Sequence, residues 1–306
     1  MSALFTFPGQ GSQLPGMLHA LPDHPEVSRT LAEAGDALGR DPRELDDVDA
    51  LASTVAVQLC LLVAGVAMAR ALTAEGAPPT MVAGMSAGAF PAAVVAGALD
   101  HRDALHLVAL RGRLMERSFP SGFGMTAVIG LERHQLAALV AQVHATAAPV
   151  YLANQNAERQ LVIAGAEAAM QAVAELALRN GATRVERLDV AVPSHCALLE
   201  PASRALAEAL SAVRLTPPRV TYLSSSAARA IHDPARLADD LATNMARPVN
   251  WHDTARLGWE RGARIAVEMP TGSVLTGLTQ PAFADGLAVC SENNRIETLI
   301  SLITRQ

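Results

Sequence analysis

The chain has 306 residues, half of them apolar and only 3% aromatic, with a formal charge of −6. That length can bury one large core or two smaller ones, and the acidic balance gives no electrostatic reason to expect nucleic acid as a partner. The sequence contains no lysine, which excludes a pyridoxal Schiff base and a Walker-type phosphate lysine together. In chain order, Leu4–Phe7 reads as a strand running into the loop Pro8-Gly9-Gln10-Gly11-Ser12-Gln13. No basic region precedes it, so this start reads as a first strand and not as a signal peptide. A helix is expected over 53–75, a short apolar strand over 80–83, a short helix over 87–98, and a further helix over 102–117 capped by Asp100. The apolar run 55–69 is interrupted by Gln58 and ends at Arg70, and the run 81–99 is broken by Gly84, Gly88, Pro91 and Gly97. Neither reads as a membrane span, and a cytosolic location is expected. The alternation of strands and helices argues for a parallel sheet with helices on both faces.

The pattern changes near Gly122-Phe123-Gly124. From there the expected order is strand 126–129, helix 133–144, strand 150–153, strand 160–164, helix 166–180 and strand 183–188. That β-α-β-β-α-β order is the ferredoxin-like unit. The expected organisation is therefore an α/β core made of 1–124 and 191–306, with a small α+β domain over 125–190 inserted into it. Alternating α/β order returns from Val220.

Cys60, Cys196 and Cys290 are too few and too widely spaced for a disulfide framework or a metal set. The nine histidines form no HExxH or comparable pair, so no metal is expected. Chemistry gathers instead around Gly84-Met85-Ser86-Ala87-Gly88, which lies between an apolar strand and a helix. A sharp strand-to-helix turn needs minimal side chains on either side of its serine, and it exposes the serine oxygen at a helix N-terminus. The alternative is a tight structural turn. Gly9-Gln10-Gly11 has Leu14 where a dinucleotide fingerprint has its third glycine, so that match is poor. An alternative is that its backbone amides face an oxyanion, and alone the loop is a weak signal.

Arg111 stands out on its helix. At 3.6 residues per turn, Ala104, Leu107, Val108, Leu114 and Met115 fall within about 60° of its direction, while Arg113, Glu116 and Arg117 point elsewhere. An arginine in an apolar stripe must find an anion, either an internal carboxylate or a ligand's, or else snorkel to the surface. His195, in Val192-Pro193-Ser194-His195-Cys196, is one of nine histidines able to serve the serine as a base. Asn154 and Asn156 stand at a strand end, where a turn role competes with ligand contact.

Phe7-Pro8-Gly9-Gln10-Gly11-Ser12-Gln13, the Ser86 turn, Arg111-Gly112-Arg113-Leu114-Met115, Val192-Pro193-Ser194-His195-Cys196 and Val274-Leu275-Thr276-Gly277-Leu278 occur in this order. In these five motifs the chain resembles the malonyl-CoA:acyl-carrier-protein transacylases along nearly its whole length. The resemblance implies a hydrolase-like α/β core with a ferredoxin-like insert. It implies Ser86 as the acyl-carrying nucleophile, His195 as its base, and the backbone carbonyl of Asn250 as the group that orients the imidazole. Amides of Gln10 and Ala87 would form the oxyanion hole, Arg111 would grip the malonyl carboxylate, and Gln58 would line the pocket. The coenzyme A thioester enters as substrate, no tightly bound cofactor is implied, and the acceptor would be a phosphopantetheine-type thiol on an acyl carrier protein.

The chain departs from that pattern at Met85 and Ala89, where the family usually has His and Glu, and at Met269-Pro270-Thr271-Gly272, where Gly-Pro-Gly is usual. Gly84-Met85-Ser86-Ala87-Gly88-Ala89-Phe90 with Val267-Glu268-Met269-Pro270 looks closest to the epsilon subunit of malonate decarboxylase. That likeness implies the decarboxylase carrier subunit as acceptor and other decarboxylase subunits as partners. Two rival readings are a serine hydrolase using Asp189 and His252 with Ser86, and a non-catalytic subunit that only docks a carrier.

Overall fold

In the computed structural model, which describes residues 2–119, 121–190 and 192–305, the opening apolar run forms β1 (Ser2–Phe7). Helix α1 (Pro25–Leu38) follows and lies outside the sequence expectation. Its N-cap is the unusual imidazole of His24, but Pro25 opens the helix and Gly39 closes it in a left-handed conformation. Val27, Leu31, Ala34 and Leu38 recur at helical spacing on its packed face. Helix α2 (Thr54–Ala74) starts where the Ser53 hydroxyl accepts from the Ala56 amide. It is apolar on nearly every side, as a helix at the centre of a core must be. It is long and apolar enough to cross a membrane, but it is buried here against α1 and against the helices over 89–95 and 101–118.

Next come β2 (Met81–Gly84), a tight turn over Ser86–Gly88, α3 (Ala89–Val95) and α4 (His101–Ser118). The Asp100 carboxylate caps α4 by accepting from the Arg102 and Asp103 amides. Gly112 lets α4 approach α2, because a Cβ there would lie 2.7 Å from the Val55 Cα. The neighbouring Arg111 is thereby set beside α2.

The insert contains β3 (Phe123–Ile129), α5 (Arg133–Val143), β4 (Val150–Ala157), β5 (Gln160–Ala166), α6 (Glu167–Arg179) and β6 (Arg184–Arg187). The rest of the chain gives α7 (Glu200–Ser211), β7 (Thr221–Ser224), β8 (Arg229–Ile231), α8 (Pro234–Thr243), β9 (Val249–Asn250), α9 (Trp251–Glu260), β10 (Ala263–Glu268), α10 (Val274–Thr279), β11 (Leu287–Cys290) and α11 (Ile296–Thr304). The expected return of the core at Ala191 falls outside the described residues.

The large sheet has the order β11-β10-β1-β2-β7-β8. It is parallel except at β8, which turns back antiparallel on β7. The expectation of a parallel sheet fails at this edge because the connection 225–228 is far too short for a crossover. The small sheet runs β6-β3-β5-β4, the ferredoxin-like arrangement, and β9 adds a fifth strand parallel to β4.

Alternation along the small sheet divides its two faces. Val128, Leu161 and Ile163 pack with Leu136, Leu139 and Val173 of α5 and α6, while Met125, Ala127, Val162 and Ala164 pack on the other face with Cys196. The fold is thus a hydrolase-like α/β core carrying a small α+β insert. In the large sheet Phe7 pairs with Gly84, so the loop after β1 and the turn after β2 meet at the carboxyl edge of the strands, where open α/β sheets bind ligands.

Candidate active site

The turn after β2 is held by close backbone packing. A Cβ on Gly84 would lie 2.0 Å from the Gly88 carbonyl oxygen, and one on Gly88 would lie 2.1 Å from that of Phe7. Ser86 sits between them at φ 54°, a left-handed conformation that a non-glycine residue adopts only when its surroundings impose it. Gly9 comes equally close, since a Cβ there would lie 2.8 Å from the Met85 carbonyl oxygen. The Gln10 loop is therefore pressed against the serine. Among the described residues no group accepts from the amide of Gln10 or Ala87. Gln10 and Ser86 line one cavity of about 390 Å³, and Ala87 is the residue after Ser86 in the turn.

His195 also has positive φ, 64°, and its amide is anchored on the Met245 carbonyl at 2.7 Å. The Ser86 hydroxyl meets His195 Nε2 at 2.9 Å, while Nδ1 faces the carbonyl oxygens of Asn244 at 2.8 Å and Arg247 at 3.3 Å. Carbonyls only accept, so Nδ1 carries the proton and Nε2 presents its lone pair to the hydroxyl. Burial, reinforced by the nearby Arg111 charge, lowers the imidazole pKa to about 4. The ring is therefore a neutral acceptor at neutral pH.

The Asn250 carbonyl does not orient the imidazole; it accepts from the Thr254 hydroxyl at 2.8 Å in the first turn of α9. The carbonyls of Asn244 and Arg247, which do reach the ring, come from the turn between α8 and β9. Sequence reasoning missed Asn244 because a backbone acceptor leaves no residue-type signature. The run Arg247-Pro248-Val249-Asn250 marked only its neighbourhood.

Arg111 is fully buried. Its Nη1 donates to Gln58 Oε1 at 2.7 Å and approaches Met115 Sδ at 3.1 Å. Its Nη2 reaches Ser86 Oγ at 3.1 Å and Asn244 Oδ1 at 3.4 Å, and its Nε has no partner. Every described partner is neutral, so an internal carboxylate does not explain this arginine. Burial alone lowers its pKa to about 10, which leaves it cationic at neutral pH. A buried cation without a counter-ion is costly by several kcal/mol, and this one stands beside the serine oxygen.

Gln58 does not line the cavity as expected. It lies behind Arg111, with Oε1 on the guanidinium and Nε2 on Met115 Sδ at 3.4 Å. Both it and Arg111 are buried at the packed α2–α4 contact and stand just behind the residues that line the cavity. Asn154 and Asn156 do line the cavity; Asn154 Nδ2 donates to Asn156 Oδ1 at 3.2 Å, and Asn154 Oδ1 is buried without a partner.

The rival triad does not assemble. Asp189 lines the Ser86 cavity, but His252 lines a different one with Trp259 and Leu278. A larger cavity of about 800 Å³, between residues 14–22 and 291–298, contains neither Ser86 nor His195. Chemistry, not size, identifies the site.

The family described as the acyl transferase domain matches residues 4–305. The chain is 38% identical over 291 residues to the malonyl CoA-acyl carrier protein transacylase of Haemophilus influenzae, covering 92% of this chain and 93% of that one. The crystal structure of the acyl-carrier-protein S-malonyltransferase from Burkholderia pseudomallei superposes with a TM-score of 0.93 at 37% identity, over 99% of this chain and 100% of that one. A malonyl-transacylase solved in complex with a type II polyketide synthase acyl-carrier protein superposes with a TM-score of 0.92 at 34% identity, over 99% of each chain.

Proposed function

Because the chain belongs to the acyl transferase domain family, we propose that it moves a malonyl group from malonyl-CoA to the thiol of an acyl carrier protein through a malonyl-Ser86 ester. The observation that carries this reading is the buried Arg111, whose partners are all neutral and whose Nη2 lies 3.1 Å from Ser86 Oγ. A carboxylate on the acyl group supplies the missing counter-ion and can take a bidentate hydrogen bond from the guanidinium.

The steps follow from the geometry. Ser86 Oγ gives its proton to His195 Nε2 and attacks the thioester carbonyl, while Nδ1–H holds the imidazolium against the Asn244 and Arg247 carbonyls. The oxyanion is directed to the Gln10 and Ala87 amides. Collapse of the intermediate breaks the C–S bond, and the departing thiolate takes the proton from Nε2. The carrier thiol then attacks the ester by the reverse route, returning the proton to Ser86. Asn154 and Asn156 act as polar contacts on the far wall of the cavity.

The division of labour we propose sets 1–124 with 191–306 as the core that holds Ser86, His195 and Arg111, and 125–190 as the insert that walls the cavity. Exposed Arg113 and Arg117, on the outer side of α4, are the proposed steering charges for an acidic carrier.

The finer reading is that the acceptor is the carrier subunit of a malonate decarboxylase, bearing a dephospho-CoA-derived thiol, with its other subunits as neighbours. Its support is Met85 before the serine, Ala89 after it, and Glu268-Met269-Pro270. Met85 lines the cavity, and Ala89 is buried in the apolar core. The alternative acceptor, a carrier of fatty-acid or polyketide synthesis, is supported by the names of the relatives above.

The test is intact mass after incubation with malonyl-CoA. The reading requires one malonyl adduct on the wild type and none on Ser86→Ala, whereas turnover to free malonate would favour a hydrolase. Transfer rates from the adduct to each carrier type then decide the acceptor.

A further inference from the structure

The chain enters the insert through 122–125, at the start of β3, and leaves it after β6 through 188–190; these two passages bound the insert. Both passages wall the catalytic cavity, through Met125 on one and Leu188, Asp189 and Val190 on the other. Arg187, the last residue of β6, lies across both. Its Nη1 donates to the carbonyls of Met125 at 2.9 Å, Leu188 at 2.6 Å and Val190 at 3.2 Å, and its Nη2 donates to that of Phe123 at 3.0 Å. Nη1 has two hydrogens for three carbonyls, so one is shared.

The Nε contact with Glu167 at 3.2 Å is an ion pair between half-exposed groups, and such pairs contribute little. The distinctive feature is one planar cation bonded to the backbone of both passages at once. Gly124 is shaped to admit it, because a Cβ there would lie 1.9 Å from Nη2.

We infer that Arg187 is a positioning residue that ties the two passages together and so fixes the width of the cavity through which the thioester arm reaches Ser86. This rests on the acyl-transfer reading above. Ser86, His195 and Arg111 all belong to the core, so loosening the insert leaves the reacting groups in place. What suffers is binding of the arm, and the loss falls on KM and not on kcat.

Two variants and two readouts test it. Arg187→Ala removes the fork, and Gly124→Ala displaces it while keeping the charge. Both should raise KM for malonyl-CoA about tenfold while kcat stays within about threefold. Arg187→Lys, which keeps the charge but not the planar fork, should fall between wild type and Arg187→Ala. Amide exchange at 123–125 and 188–190 should quicken at least about tenfold in both alanine variants, with Leu161–Ile163 of β5 and the β4 residues paired to them unchanged. If Arg187→Ala does not fold, Gly124→Ala decides alone. Wild-type KM together with wild-type exchange would overturn the inference, and so would a fall in kcat at constant KM. A wild type that accepts no malonyl would instead sink the acyl-transfer reading, and the exchange rates would still decide whether Arg187 ties the passages.

Discussion

The guanidinium of Arg111 donates from Nη2 to Ser86 Oγ across 3.1 Å, although the two residues lie on different elements and only the arginine is charged. The same cation helps to keep His195 neutral. One buried charge therefore acts on both members of the serine–histidine pair before any ligand arrives. Gln58 Oε1 holds the other prong of the fork from behind, leaving Nη2 on the serine side to meet an anion.

The depressed pKa of His195 gives a pH profile with a definite sign. The base works only when neutral, so acylation kcat/KM, which reports the free enzyme, should stay flat as pH falls from neutral and drop to half near pH 4. A histidine with its ordinary value of 6.5 would place that midpoint more than two units higher. The same shift contributes stability that is complete above 6.5 and lost as pH falls toward 4, because the unfolded chain binds the proton first. Single-turnover malonylation against pH measures the kinetic part, and denaturant midpoints over the same range measure the other.

The two histidines named by competing readings separate cleanly. His195→Ala should slow acylation by about 10² to 10⁴, the range for a lost general base. His252→Ala should leave it unchanged, since His252 lines another cavity. A dead His252→Ala beside an active His195→Ala would restore the hydrolase triad.

The turn around Ser86 should tolerate no methyl group at its second glycine. A Cβ on Gly88 would lie 2.1 Å from the Phe7 carbonyl oxygen, and backbone there cannot yield cheaply. Gly88→Ala should cost about 1–3 kcal/mol or more of stability and abolish labelling of Ser86. A melting curve and the malonylation assay, run on the same preparation, check both. Wild-type values in either would mean the turn is looser than described.

Much of this site was legible because its signals are local. Gly84-Met85-Ser86-Ala87-Gly88 announces a strained turn by composition, and Arg111 announces itself by lying in an apolar stripe. The β-α-β-β-α-β order of the insert was visible in the alternation of 125–190, and its strands extend beyond the expected ends only where the ladders continue. What escaped depends on contacts distant in sequence. The imidazole is oriented by carbonyls at 244 and 247, and Gln58 faces α4 and not the cavity. The antiparallel turn of β8 and the crossing of β9 to the small sheet are likewise matters of pairing, which a periodicity reading does not contain. Helix α1 was legible in principle, from Pro25, Gly39 and the helical spacing of Val27, Leu31, Ala34 and Leu38; only its imidazole cap is unusual.

The most direct test of the account asks whether Arg111 selects a carboxylate. Removing one partner of a desolvated charge pair typically costs about 2–5 kcal/mol, roughly 30-fold to several thousand-fold in rate. Acetyl-CoA carries no carboxylate to pair, so its reaction should survive Arg111→Ala or improve as an unpaired buried cation disappears. The measurement is kcat/KM for malonyl-CoA and for acetyl-CoA, wild type against Arg111→Ala. The account predicts that the malonyl-to-acetyl ratio falls by at least about tenfold or inverts. Equal losses on both substrates would contradict it and make Arg111 a structural arginine.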